Sequence, residues 1–426
     1  MYIGLYHLLV VEVSKMRSLL ILSLCLAAVS NAVAVASLAP TSFKVDLSSG
    51  VPHMLDLIQK TTLPTTEDPA AVNSYNMTET TGLPLTTLAS LQNEWINGFN
   101  WTAEEDAINK YDHFLSKIGT QTVHFIHQKS SYPNAIPIIL LHGWPGSFLE
   151  LTPLLDQLML SNSSQSFHVV VPSLPGFGFS SPTPKDWTIA DISTLFNNLM
   201  TQVLGYKTYA LHGTDWGSGV SFDMYDSFNA TVKAAHLNFL PFKSLTPAQL
   251  AAESFVLPSS AVAEEKRAMD FQAKGAIYFA EMATRPNTLG LALYDNPIGQ
   301  LSWLAEKFIL WSDPRRGTGP STLTNNEILK HTSLYYLSKT FITASYIYEQ
   351  NPTILSSAYP YRKAKTSSPL LFTDFPYNIQ YWPKQVVASV GNLVYYNSVD
   401  FGGHFPALDN VAALAEDVRQ IGKYYK

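Results

Sequence analysis

The 426-residue chain has one cysteine, Cys25, so an internal disulfide framework and a cysteine-based structural zinc site are both excluded. Charge is scarce too, at 14% of residues against a usual quarter. There is no basic excess: 27 Lys and Arg face 33 Asp and Glu, a net charge of −6, so nothing recruits a phosphate backbone and no nucleic-acid partner is expected. No G-x-S-x-G esterase turn, phosphate-binding glycine loop or metal-ligand cluster occurs, so neither a cofactor nor a metal is expected. What the chain does have is 46% apolar residues and 12% aromatics, which excludes disorder and suits a large core and a globular enzyme with an apolar pocket.

The run Ser18 to Ala36 is apolar, follows Lys15 and Arg17, and ends in Ala34-Val35-Ala36, the small-residue pattern that signal peptidase prefers. It reads as a cleaved signal peptide over 1–36, with Met16 a tidier start than Met1. A retained membrane anchor is the rival, because the run is just long enough to cross a bilayer about 30 Å thick. Cys25 would leave with the leader. Four Asn-x-Ser/Thr triplets, at Asn76, Asn100, Asn162 and Asn229, fit passage through a secretory route or its lumen and a secreted product. Membrane association is expected only through the N-terminal segment.

From 40 to about 130 the chain reads as an arm, polar and Thr/Ser/Pro-punctuated, with Thr102-Ala-Glu-Glu105 as a capping box for a helix. Short apolar runs then alternate with helical patterns: Thr122–His127, Ile136–Leu141, Phe167–Pro172, Lys207–His212 and Ala234–Phe239. That alternation predicts an α/β fold with a mostly parallel sheet covered on both faces. Residues 241–368 break it with helical, aromatic-rich sequence. The β pattern returns at Pro369–Thr373 and Asn392–Asn397, before a closing helix from about Asn410. One sheet in two parts, 131–240 and 369–426, interrupted by a helical insertion, is the simplest account.

Gly213-Thr214-Asp215-Trp216-Gly217 follows the strand Lys207–His212 and opens a helix. Small-x-nucleophile-x-small after a strand is a nucleophile elbow, here presenting a carboxylate that would attack carbon and form an ester. Alone, the pentapeptide reads equally as a helix N-cap Asp between glycines. Upstream, His142-Gly143-Trp144-Pro145-Gly146 follows a buried strand, where hydrolases of this architecture place one oxyanion-hole amide. Trp144 and Trp216 are the candidates, with His142 ordering the loop. Downstream, His404 lies in Gly402-Gly403-His404-Phe405, after the last strand and before the last helix, where the base belongs.

With these residues the sequence resembles the microsomal-type epoxide hydrolase family, which includes fungal epoxide hydrolases and insect juvenile hormone enzymes. HGWPGSFLE at 142–150, FHVVVPSLPGFGFS at 167–180, GTDWGS at 213–218, the 275–308 stretch and GGHFPALD at 402–409 carry the likeness. The resemblance implies an α/β-hydrolase fold with a helical cap inserted in the core and an N-terminal arm. It implies further that Asp215 opens a small apolar epoxide to an alkyl-enzyme ester, which a His404-activated water cleaves to a diol. The family's two ring-opening tyrosines fall at Tyr278, six residues before Thr284-Arg285-Pro286, and at Tyr348, with Tyr346 in reserve.

One position departs from the family pattern. The triad acid falls in Phe375-Pro376-Tyr377-Asn378-Ile379, where the carboxylate is replaced by Asn378, 26 residues before His404. An amide holds an imidazole in place but does not stabilise imidazolium, and in serine proteases the same change costs roughly 10⁴-fold in turnover. Asp374 and Asp400 are the substitutes to examine. Three readings stay open from sequence: an epoxide hydrolase with a relocated or absent acid, an epoxide-opening cyclase of secondary metabolism that forms cyclic ethers, and a catalytically silent member that binds an apolar ligand. A haloalkane dehalogenase also uses an Asp elbow, but the tyrosine pair and the His142–Pro145 loop argue against it.

Overall fold

A computed structural model describes residues 39–65, 82–160, 165–255, 257–356 and 361–426. The leader, Asn76 and Asn162 lie outside the described residues. Nine strands form one sheet: β1 (Thr41–Phe43), β2 (His113–Ile118), β3 (Gln121–Gln128), β4 (Ile136–Leu141), β5 (Phe167–Pro172), β6 (Tyr209–Gly213), β7 (Val232–Leu237), β8 (Pro369–Asp374) and β9 (Asn392–Ser398). Their order is β1-β2-β3-β5-β4-β6-β7-β8-β9. The pairs from β5 through β9 are parallel, and β1, β2 and β3 join antiparallel.

The apolar runs explain the centre. Ile-Pro-Ile-Ile-Leu-Leu in β4 and Phe-His-Val-Val-Val-Pro in β5 are buried at nearly every position, because helices cover both faces of the parallel sheet. β9 is half-buried, as an edge strand should be. Two strands were not foreseen. β1 is only three residues long, and β2 reads His-Phe-Leu-Ser-Lys-Ile without clean alternation. The arm thus extends the sheet as well as packing on it. The predicted capping box is also misplaced by two residues: the helix is Trp101–Ile108, and its N-cap is Asn100, whose Oδ1 accepts from the Ala103 N–H at 3.3 Å.

The insertion lies between β7 and β8 and carries seven α-helices among the described residues, Pro247–Ala252, Val262–Asp270, Ile277–Thr284, Pro286–Leu293, Pro297–Leu310, Asn325–Leu337 and Tyr346–Gln350. Three begin with proline, whose missing N–H is unneeded in a first turn. The arm fastens this cap. Trp95 Nε1 donates to Ser333 Oγ at 3.1 Å, Asn325 Nδ2 to Glu94 Oε2 at 2.9 Å and Asn326 Nδ2 to Glu104 Oε1 at 2.8 Å. Cap and core meet over the carboxyl edge of the parallel strands, the position for a site in an α/β sheet.

Candidate active site

Asp215 stands where β6 turns into the helix Asp215–Ser227, with φ at +44°, a conformation that side chains rarely adopt. The tight turn explains its glycines. A Cβ on Gly217 would lie 2.0 Å from the Leu141 carbonyl oxygen, and one on Gly143 would lie 2.3 Å from Asp215 Oδ1. Backbone is thereby brought against the carboxylate, and the Trp144 N–H donates to Asp215 Oδ1 at 2.9 Å. The Trp216 N–H is in the first turn of the helix, where an amide has no intrahelical acceptor. His142 stays behind the loop, accepting from the Leu174 N–H at 3.1 Å and donating from Nδ1 to the Gly143 carbonyl at 3.0 Å. Burial lowers its pKa to about 4, so it is neutral and structural.

His404 lies across from Asp215, its Nε2 3.2 Å from Oδ2 but without hydrogen-bonding geometry, so the nitrogen's lone pair is uncommitted. Its backbone N–H donates to the Trp311 carbonyl at 2.7 Å, and Phe239 and Trp311 pack edge-on with ring centres 5.3 and 5.2 Å away. The other ring nitrogen, Nδ1, is 2.9 Å from Asn378 Oδ1. The amide of Asn378 is held in this orientation, because its Nδ2 donates to the Asn238 carbonyl at 3.0 Å and its Oδ1 also accepts from the Ile379 N–H at 2.9 Å. An oxygen facing Nδ1 requires the proton to sit there, which leaves Nε2 free as a base. The wrong-tautomer penalty of an Asp-to-Asn change is thus avoided, and what is missing is the negative charge. Neither sequence substitute occupies the gap: Asp374 is buried beside Ser398 and Glu264, and Asp400 is exposed, its carbonyl engaged by Arg315.

Both tyrosines come from the cap, Tyr278 from the helix Ile277–Thr284 and Tyr348 from Tyr346–Gln350. Their rings are 5.9 Å apart and nearly perpendicular. Trp144 stacks on Tyr278 at 5.2 Å, and Trp216 meets Tyr348 edge-on at 4.7 Å. The Tyr348 hydroxyl is buried and makes no hydrogen bond of good geometry. Burial, and then the nearby charge on Asp215, push the Tyr278 phenol well above its ordinary pKa; burial, Tyr278 and Asp215 do the same for Tyr348. Tyr346 instead donates to Asn287 Oδ1 at 2.8 Å, away from the site. Asp215, Trp216, Tyr278 and Tyr348 line, with Phe239, Phe279 and Ile354, a narrow cavity of about 10 Å³.

Glu150, within the 142–150 segment, was not singled out from sequence, yet it is 1% exposed directly behind this centre. Thr214 Oγ1 of the elbow donates to its Oε1 at 3.1 Å. Burial raises its pKa to about 8. Trp311, whose ring packs on Trp144, Tyr278 and His404, was missed as well, because a lone Trp at the end of a helix carries no local signal. Among the described residues no group of three or more His, Cys, Asp or Glu could hold a metal. Asn100 and Asn229 are exposed.

Residues 40–151 match the epoxide hydrolase N terminus family and residues 136–284 the alpha/beta hydrolase fold family. A protein of Stigmatella aurantiaca provisionally named an epoxide hydrolase is 35% identical over 80% of this chain and 76% of its own. Epoxide hydrolase 1 of Sus scrofa is 29% identical over 77% of each chain. The structure of Aspergillus niger epoxide hydrolase superposes with a TM-score of 0.79 at 30% identity, covering 92% of this chain and 97% of that one. An Asp elbow, a histidine facing it and a capped α/β-hydrolase sheet with an N-terminal arm agree with these likenesses, and the chain belongs to the microsomal-type epoxide hydrolase family, hydrolases that act on ether bonds.

Proposed function

We propose that the chain converts a small apolar epoxide to a vicinal diol through an ester on Asp215. The reading rests on one convergence, a carboxylate and two phenols lining a single apolar cavity, with an uncommitted imidazole nitrogen 3.2 Å from that carboxylate. A carboxylate oxygen of Asp215 attacks a ring carbon; the carbon–oxygen bond breaks, and the oxygen takes a proton from Tyr278 or Tyr348. A water then gives its proton to His404 Nε2 and adds to the ester carbonyl. The Trp144 and Trp216 amides supply hydrogen bonds to the oxyanion. Collapse expels the second diol oxygen, which takes the proton from His404, and the proton left on the Asp215 carboxyl returns to the phenolate, so that carboxylate and phenol are both restored.

The amide at Asn378 divides the two steps. Alkylation needs no imidazolium, whereas ester cleavage forms one beside a neutral partner, so cleavage is the slow step and the ester accumulates. Mixing protein and epoxide and weighing the intact chain tests this: a mass increase equal to the epoxide, absent in Asp215→Ala, is expected. Cyclised product without oxygen-18 uptake from labelled water would replace water by an internal hydroxyl. No adduct and no turnover across an epoxide series would make the chain a silent binder. The apolar leader, with exposed Asn100 and Asn229, supports a secretory route. N-terminal sequencing of the native protein that finds residue 20 intact would contradict cleavage.

A further inference from the structure

Lys307, on the cap helix Pro297–Leu310, is 3% exposed, a burial that lysine rarely tolerates unpaired. Its Nζ lies 2.6 Å from Glu306 Oε2. Adjacent residues on a helix do not face one another, so this pair adds little to the helix itself. The ammonium instead faces aromatic rings, 4.2 Å from the centre of Trp303 and 5.7 Å from the centre of Tyr278. Burial alone lowers the pKa of Lys307, and the neighbouring Glu306 carboxylate counters that effect.

Tyr278 needs such a neighbour if it donates a proton. A phenol that protonates an epoxide oxygen gains negative charge as the ring opens, and both its burial and the Asp215 carboxylate oppose that charge. Asp215 ceases to do so once it becomes an ester, but the low-polarity surroundings remain. A cation held against the ring stabilises the developing phenolate and costs no rearrangement at the moment of reaction. We propose that Lys307 is a positioning residue for ring opening, acting through Tyr278 by holding its positive charge against the phenol ring. This rests on the reading of Tyr278 as a proton donor.

The two half-reactions separate the proposal from a merely structural role. Lys307→Met keeps most of the stem and removes the charge. It should slow single-turnover alkylation, followed by intact mass, by roughly 10-fold, given a charge several ångströms away and partly neutralised by Glu306. Decay of a preformed ester should change by less than about 2-fold, and Lys307→Arg should alkylate within about 3-fold of the parent. In a Tyr278→Phe background, Lys307→Met should have no further effect. Alkylation at the parental rate in Lys307→Met, equal slowing of ester decay, or a full effect retained without Tyr278 would overturn the proposal. A parent protein that forms no adduct would instead refute the two-step reading, before any Lys307 variant is compared.

Discussion

Glu150 places a second carboxyl group behind the nucleophile, and its pKa of about 8 against an ordinary 4.5 has a measurable consequence. The folded state holds that proton more tightly than the unfolded one. The stability it contributes is therefore complete below pH 4.5 and is lost as pH rises towards 8. Glu150→Gln, which cannot ionise, should gain on the parent by an amount of the order of 4 kcal/mol between pH 4.5 and 8, read from paired urea unfolding curves. A constant difference across that range would show that the group does not titrate there. Asn378 gives another residue-scale expectation. Asn378→Asp should speed ester decay, because imidazolium gains an anionic partner, but the new oxygen would face the Asn238 carbonyl that now accepts from Nδ2. A stability loss of about 1–3 kcal/mol should accompany the faster decay. The amide's orientation was not legible in the sequence, since it is set by a carbonyl 140 residues away. The position of Tyr278 on the cavity beside Asp215 was legible because its spacing to Thr284-Arg285-Pro286 is local. The selection of Tyr348 over Tyr346 agrees with the geometry, since Tyr346 turns to Asn287.

Elements with one dominant cause were the ones that could be read. β4 and β5 run over Ile136–Leu141 and Phe167–Pro172 as expected, because a strand buried on both faces shows as an unbroken apolar run between turns. β6 starts two residues and ends one residue later than expected, and β7 starts and ends two residues earlier, its apolar sequence continuing to Phe239 past the hydrogen-bonded ladder. β1 and β2 escaped because their pairing is decided by the sheet edge they join, not by their own composition. The cap of the arm helix turned on one hydrogen bond. Asn100→Ala should cost about 1 kcal/mol in unfolding free energy, whereas Thr102→Ala, exposed and already inside the helix, should be neutral or stabilise by a few tenths, because alanine is the better helix former. Equal costs would restore the capping box to Thr102.

Over the whole molecule, a sheet extended by the arm supports a helical cap, and the arm holds that cap through Trp95, Glu94 and Glu104. In the proposed reaction the core supplies nucleophile and base and the cap supplies the acids, around an apolar cavity. The scarcity of charge has a counterpart here: the His404 ring is oriented by an amide, with no carboxylate on its Nδ1. That division of labour depends on water attacking the ester rather than the epoxide. A single turnover in oxygen-18 water, with enzyme in excess, tests it most directly. The account predicts unlabelled diol in the first turnover and oxygen-18 in the peptide that carries Asp215. Label in the first-turnover diol with none in Asp215 would contradict it.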